Sequence, residues 1–316
     1  MFRIGKRFIL IGIGLAILFI IIWSANPAVL FGYFARSDLR YVIIAFSVSS
    51  FMVLFRVMKW KVLLKGVGFL EILPVQLFGM TISNLTPGKL GEPAKALLLK
   101  ARKGISVSAS LPTIIWERVA DVAVLIVLSF AAIQLISRES RVYTLSFLSV
   151  AGFGCLIVLL LIILYSRGFG RKVLSFFSRF PILKRMDKNF IDSFYKADIE
   201  KKGLAACFLL TAVPWVMEGV TMYFCFLAFG VDTAPLILSS IIALSILIGV
   251  ASSLPGGIGS TDAVMIILLG LVDIQGSVAT AGMLLYRFMT FWYGIFLGGV
   301  SFMYLSKKID VKEILK

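Results

Sequence analysis

No histidine occurs among the 316 residues, and cysteine occurs only at positions 155, 207 and 225. All three cysteines fall inside apolar runs, so neither a disulfide framework nor a metal site is expected. Without histidine, a zinc centre or a histidine-based catalyst is not expected either. No cofactor and no catalytic residue set is read from the chain. Charge is scarce: 15% of residues are charged and 60% are hydrophobic, where soluble domains average about 25% and about 45–50%. Long polar stretches are missing as well. The longest water-facing run is Arg167–Lys202, which leaves no room for a soluble domain. With a mean hydropathy of +1.01, the chain reads as an all-α polytopic membrane bundle, one integral domain over residues 1–316.

A bilayer asks for about 20 apolar residues per spanning helix. Six runs meet this: Phe8–Ser24, Leu39–Leu63, Ala109–Ile136, Tyr143–Ser166, Gly203–Phe229 and Gly276–Ser306. Arg3, Lys6 and Arg7 precede the first run, as they would in a signal peptide. The run is long for that role and Asn26-Pro27 is a poor cleavage site, so a retained helix is expected.

Acidic residues are also few, 16 against 32 basic, giving a net charge of +16. The placement of the basic residues argues for topology, not for a nucleic-acid partner. Lys and Arg gather at the N-terminus, Lys61–Lys65, Lys100–Lys103, Arg167–Lys202 and the C-terminal tail. The loops Ala25–Asp38, Ser137–Val142 and Gly230–Ala234 hold only Arg36, Arg138 and Arg141. By the positive-inside rule this sets both termini and the long loop in the cytoplasm of a cell-membrane protein. The loop 167–202 alternates basic residues with Phe, Ile and Leu. It reads either as amphipathic helices on anionic inner-leaflet lipids or as a solvated linker.

Two stretches break the apolar pattern in the same way. "LTPGKLGE" carries Pro87, Gly88 and Gly91; "SLPGGIGS" carries Pro255, Gly256 and Gly259. In both, the last glycine lies four residues after the proline, and a membrane arginine follows the proline by 31 residues (Arg118) or 32 (Arg287). The register points to an internal duplication, repeat one about 39–136 and repeat two about 203–306. The segments flanking Pro87 are too short to span, and basic residues on both sides want the cytoplasm, so Ile72–Leu99 reads as a re-entrant hairpin. Pro235–Leu254 with Asp262–Val272 reads as a second hairpin from the other face, although Pro235–Leu254 is also long enough to span fully. About six spanning helices plus two re-entrant hairpins in an inverted-topology repeat result, the pattern of transporters whose interrupted helices meet at mid-membrane. Irregular backbone at that depth must be buried in protein or line a wet cavity.

Each break starts a helix. Glu92 and Pro93 occupy its first positions in one, and Ser260, Thr261 and Asp262 supply caps in the other. Free N–H groups at such ends suit an anion such as phosphate, and Lys89 and Lys95 strengthen the first site. Simple capping of buried helix ends explains the same residues. Other intramembrane charges cost at least about 2.5–3.5 kcal/mol each on insertion scales. Glu117, Arg118 and Asp121 lie within one turn, with Glu117 and Asp121 on one face; Glu218 and Arg287 lie mid-span. Pairing of Arg118 with an acid of its own helix and of Glu218 with Arg287 would make these structural ion pairs. Arg287 otherwise needs a partner across the bundle or a ligand phosphate. Arg56 and Lys59 near a helix end are expected to snorkel to the surface.

"SNLTPGKLGEPAKALLL", "ERVADVAVL", "SSLPGGIGSTDAVMIILLG", "LLYRF" and the early "RVMKWKVLLKGVG" together resemble the flippase-like membrane domain of lysylphosphatidylglycerol synthases, a family that includes stand-alone multi-pass proteins. The resemblance covers nearly the whole chain. It implies a helical bundle with an inverted repeat and re-entrant helices that moves lipids, aminoacylated phosphatidylglycerol or polyprenyl-linked species, between leaflets. Matching residues are Pro87, Gly88, Gly91, Glu92, Glu117, Arg118, Asp121, Pro255, Gly256, Gly257, Gly259 and Arg287. Where the family places a Glu shortly after the second glycine motif, Ser260, Thr261 and Asp262 stand here. The family's enzymes carry a separate soluble aminoacyl-transfer domain, and this chain runs only to Lys316, so lysyl transfer is not expected.

The leading expectation is therefore a flippase for an anionic-headgroup membrane lipid. Glycine-rich half-helix ends would hold the phosphate, Lys89, Arg118 and Arg287 would neutralise it, and Glu92 or Glu218 would engage an amine or proton. The alternatives are a membrane-embedded transferase on a lipid-linked substrate and a non-transporting partner subunit acting through 167–202. Association into a homo-oligomer is left open.

Overall fold

A computed structural model describes residues 4–87, 91–135, 141–166, 168–169, 172 and 199–307. The loop expectation for 167–202 lies, but for a few positions, outside the described residues, as do Gly88 and Lys89. The described residues are helical with no strand, as a chain that must satisfy its own backbone in lipid requires. The helices are α1 Ile4–Ser24, α2 Pro27–Ala35, α3 Leu39–Lys61, α4 Phe69–Asn84, α5 Ala94–Lys103, α6 Val107–Leu135 and α7 Arg141–Tyr165. They continue with α8 Lys201–Leu227, α9 Pro235–Ala251, α10 Ser260–Gly270, α11 Gly276–Arg287 and α12 Tyr293–Ser306. A 3₁₀ turn, Pro255–Gly257, separates α9 from α10, and a π turn, Phe288–Trp292, joins α11 to α12.

Leu39–Lys61, Lys201–Leu227 and Gly276–Ser306 are long and apolar enough to cross a membrane, and α1 with α2 makes a fourth candidate if that pair is one bent span. The 29 residues of α6 and the 25 of α7 also exceed the roughly 20 that a span needs. The protein is a multi-pass helical membrane protein. One departure from the sequence reading lies at 25–38, expected as a loop. There the chain turns by 78° and continues as α2. Asn26 adopts φ 59°, its side chain accepts the Ala28 N–H, and Pro27 supplies the first helical residue. An Asn in the left-handed region followed by Pro stops one helix and starts another.

Both breaks are hairpins whose arms pack together, α4 on α5 and α9 on α10. An ion pair between Glu71 at the start of α4 and Lys103 at the end of α5 closes the base of the first, and Gly104 at φ 71° ends α5 as a left-handed glycine cap does. In the second, α9 has 17 residues and hardly any exposed face, with Leu238 through Ser245, Leu247 and Gly249 all buried. A helix hydrophobic all round belongs in the interior, which suits an arm enclosed by protein.

Packing follows one scheme in both halves. The most extensive helix pair is α3 with α8, and the first arm of each hairpin lies on the last long helical run of the other half, α4 on α12 and α9 on α6. One core gathers Val57, Trp60, Ile72, Val75, Leu98, Leu99 and Ile114 from α3–α6; the larger one gathers Met222, Phe226, Ile242, Leu244, Met265, Leu268 and Met283 from α8–α11. Close approaches depend on glycine. A Cβ on Gly298 of α12 would lie 2.6 Å from Thr81 Cβ of α4, and one on Gly219 of α8 would lie 2.5 Å from the Ser239 N of α9.

Candidate functional site

Charged side chains from α3, α5, α6 and α8 converge where the two halves meet. From α3, Lys59 Nζ donates to Asp121 Oδ1 at 2.6 Å and lies 3.4 Å from Glu117 Oε1. From α5, Lys95, with no solvent exposure, donates to Glu117 Oε2 at 2.5 Å and to Gln76 Oε1 at 3.1 Å. Gln76 Nε2 donates in turn to Glu117 Oε1 at 3.0 Å. Lys95 also stands 4.6 Å over the Trp60 ring, and a Cβ on Gly79 would overlap its Cγ. From α6, Arg118 pairs with Asp121 at 2.6 Å and with Glu92 at 2.8 Å. Trp215 Nε1 of α8 donates to Asp121 Oδ1 at 3.0 Å. Arg56 of α3 pairs with Glu218 of α8, which also accepts from Tyr286 Oη at 2.6 Å.

Among the described residues the cluster therefore holds four cations, Arg56, Lys59, Lys95 and Arg118, and four carboxylates, Glu92, Glu117, Asp121 and Glu218. Its net charge is zero. Charges buried together must be matched or the desolvation cost is not offset, and this balance meets that demand in charge.

The second break has its own pair. Arg287 Nε lies 2.5 Å from Asp262 Oδ1, while its Nη1 and Nη2 each lie 3.4 Å from the Gly256 and Gly257 carbonyl oxygens. Asp262 Oδ2 accepts the Gly259 N–H at 2.8 Å, which caps α10. Gly256, Gly257 and Gly259 have φ of 62°, 64° and 81°, a conformation that glycine alone enters freely. The matching feature of the first break is Arg118 on Glu92. In each half, a late membrane arginine reaches back to the acid that opens the second hairpin arm.

Two cavities flank these pairs. The first is lined by Lys59, Glu92, Glu117, Arg118 and Asp121 among others. The second is lined by Gly256, Gly257, Thr261, Tyr286, Arg287 and Phe291 among others. Arg56, Asn84 and Trp215 line both. The breaks also approach each other, since a Cβ on Gly256 would lie 3.3 Å from the Asn84 carbonyl oxygen at the end of α4. On its far side the second break is covered by α1, where a Cβ on Gly14 would lie 2.8 Å from the Ile258 carbonyl oxygen.

A family described as "Lysylphosphatidylglycerol synthase TM region" matches residues 9–298. The chain belongs to that family. Among its relatives, a UPF0104 membrane protein of Pyrococcus horikoshii is 26% identical, over 93% of this chain and 96% of its own. Another, of Methanothermobacter thermautotrophicus, is 27% identical over 97% and 98%. A third, of Methanocaldococcus jannaschii, is 29% identical over 74% of this chain and 97% of its own.

Of the residues singled out in this family member's sequence, Glu92, Lys95, Glu117, Arg118, Asp121 and Glu218 come together in the balanced cluster. Gly256, Gly257, Gly259, Asp262 and Arg287 form the second break. Gly91, whose N–H donates to Thr86 Oγ1 at 2.8 Å, sits in the turn of the first. Several pairings differ from expectation. Arg56 and Lys59 do not snorkel: Lys59 is buried and both point inward, because Glu117, Asp121 and Glu218 on other helices neutralise them there. Glu218 pairs with Arg56 instead of Arg287, which takes Asp262. Lys95 is not an open anion ligand at a helix end, since Glu117 holds its ammonium. Helix α5 starts at Ala94 with Pro93 at its cap position, and the Glu92 side chain goes to Arg118. Sequence reasoning missed Gln76, Trp215 and Tyr286, whose only signal was a polar or amphipathic side chain within an apolar run.

Proposed function

We propose that this protein is a lipid flippase, moving an anionic-headgroup lipid, a modified phospholipid or a polyprenyl-phosphate-linked species, between leaflets. The observation that carries the reading is the pair of cavities, one at each break, joined by Arg56, Asn84 and Trp215. A headgroup carried across needs holding places along one polar path, and the buried acids and lysines of the described residues all belong to the cluster or to the Arg287–Asp262 pair. On this reading 39–136 and 203–306 are inverted repeats that rock against each other around α3 and α8. The termini are cytoplasmic in the cell membrane, and 167–202 rests on anionic inner-leaflet lipids. The protein acts as a transporter, not as a lysyltransferase.

The neutral cluster adds a mechanistic detail. An arriving phosphate displaces a carboxylate from an arginine: Glu92 from Arg118 in one cavity, Asp262 from Arg287 in the other. Each exchange keeps the arginine paired, while the displaced Glu92 still has Lys95 at 3.6 Å and the displaced Asp262 still accepts the Gly259 N–H. The test is reconstitution into vesicles with labelled phospholipids and polyprenyl phosphates, following leaflet exchange. Acceleration over protein-free vesicles is expected, with loss in Glu92→Gln and Arg287→Ala; exchange equal to that of empty vesicles for every lipid would refute transport.

A further inference from the structure

The geometry points to Arg56 as a phosphate ligand common to both cavities. It would bind a phosphate-bearing headgroup together with Arg118 in the first cavity and with Arg287 in the second. This rests on the transport reading for its purpose, though not for its chemistry.

Three observations carry it. First, among the described residues Arg56 is the one basic residue that lines both cavities, while Arg118 lines only the first and Arg287 only the second. Second, its guanidinium is under-used. Its Nη2 meets Glu218 and, at 3.8 Å, Met52 Sδ, whereas its buried Nε has no hydrogen-bond partner among the described residues. A guanidinium offers five donors in a fork that matches phosphate oxygens, and an unfilled donor in a polar cavity is available to a ligand. Arg287 differs, because all three of its nitrogens meet Asp262 or the glycine carbonyls. Third, Glu218 keeps one hydrogen bond when Arg56 turns away, since Tyr286 Oη donates to its other oxygen at 2.6 Å. Glu218 is thus the resident stand-in for the phosphate. Trp215, 5.7 Å from the Arg56 guanidinium carbon and shared by both cavities, supports the cation at the partition.

Two alternative complexes sharing one ligand have a distinctive signature. Losing Arg118 or Arg287 removes one complex and leaves the other; losing Arg56 weakens both. The experiment is equilibrium binding of dioctanoyl phosphatidic acid to the full-length protein in a neutral detergent, read by tryptophan fluorescence. Arg118→Gln and Arg287→Gln are each expected to weaken binding about twofold, and Arg56→Gln about tenfold or more. The double variant Arg118→Gln/Arg287→Gln is expected to match Arg56→Gln. Glu218→Gln, which removes the competitor, is expected to tighten binding.

No binding by the wild-type protein overturns the proposal, as does Arg56→Gln binding like wild type. A single Arg118 or Arg287 variant as damaging as Arg56→Gln also overturns it, by showing one site. Should Arg56→Gln unfold the protein, two further variants give the same reading. Arg56→Lys keeps the charge and loses the fork, and Arg56→Gln/Glu218→Gln removes the pair together. Competition by inorganic phosphate at the same concentration as the lipid would support the phosphate chemistry and overturn a lipid as its source. Binding with the expected signature but no leaflet exchange would leave the Arg56 assignment standing while transport fails.

Discussion

Glu117 is the acid on which the central cluster is built, and its replacement tests whether charge balance holds the bundle together. It is fully buried, accepts from Lys95 at 2.5 Å and from Gln76 at 3.0 Å, and lies 3.4 Å from Lys59 and 3.5 Å from Arg118. Glu117→Gln keeps the shape and leaves four cations against three carboxylates. Lys59 retains Asp121 at 2.6 Å, so the orphaned charge is Lys95, whose next acid, Glu92, is 3.6 Å away. Breaking a buried pair by removing one partner costs about 3–5 kcal/mol. A neutral hydrogen bond between membrane helices is worth only about 0.6 kcal/mol on average. The charge term therefore dominates, and about 3 kcal/mol of destabilisation is expected. Lys95→Met should cost a similar amount by leaving the acids in excess. The double variant restores three against three and should come within about 1–2 kcal/mol of wild type, because a balanced apolar replacement of a buried pair is often neutral. Equilibrium unfolding in mixed micelles by an anionic detergent, followed by tryptophan fluorescence, gives all four corners of the cycle. A loss below about 1 kcal/mol for Glu117→Gln, or a double variant equal to the sum of the singles, would refute the argument from charge balance.

Three further outcomes follow from close contacts. Gly298→Val should destabilise by about 1–3 kcal/mol, because its Cβ would meet Thr81 across the α4–α12 contact, while Gly299→Val, with open space beside it, should be neutral in the same unfolding assay. Gly256→Ala should cost about 1–2 kcal/mol from its φ of 62° alone, and more because the new Cβ would overlap the Phe291 ring; leaflet exchange should fall, and a variant with wild-type exchange would contradict the placement of this break. Gly79→Ala should push Lys95 off Glu117 and reproduce the loss expected for Lys95→Met.

The sequence showed where the chain breaks and not how its charges pair. The two glycine motifs and the arginines 31 and 32 residues beyond their prolines were legible because each is a local pattern repeated in register. The reading of Arg118 with Asp121 on its own helix holds, but its reach to Glu92 and that of Arg287 to Asp262 were not foreseen. Nor were Arg56 with Glu218 and Lys59 with Asp121. Their partners lie 162 and 62 residues away, and nothing in the spacing of α3 tells an inward-facing cation from one that snorkels. Helix α2 escaped for a different reason. Nine apolar residues after an Asn-Pro turn look the same in sequence whether they lie across the bundle or form a loop.

The arrangement of exposure within the cluster orders its parts. Lys95 and Glu117 have side chains with no exposure, whereas Arg118 retains 30% and Arg56 22%. A buried charge can stay in a membrane only if its partner is fixed, so the Lys95–Glu117–Gln76 triangle is the part that cannot move. The two arginines face the cavities from that foundation. Substitutions in the triangle should therefore lower stability first, whereas Arg56→Lys should lower ligand affinity with little change in unfolding free energy. If Arg56→Lys proved as destabilising as Glu117→Gln, the division between foundation and working surface would be wrong, and Arg56 would belong to the scaffold.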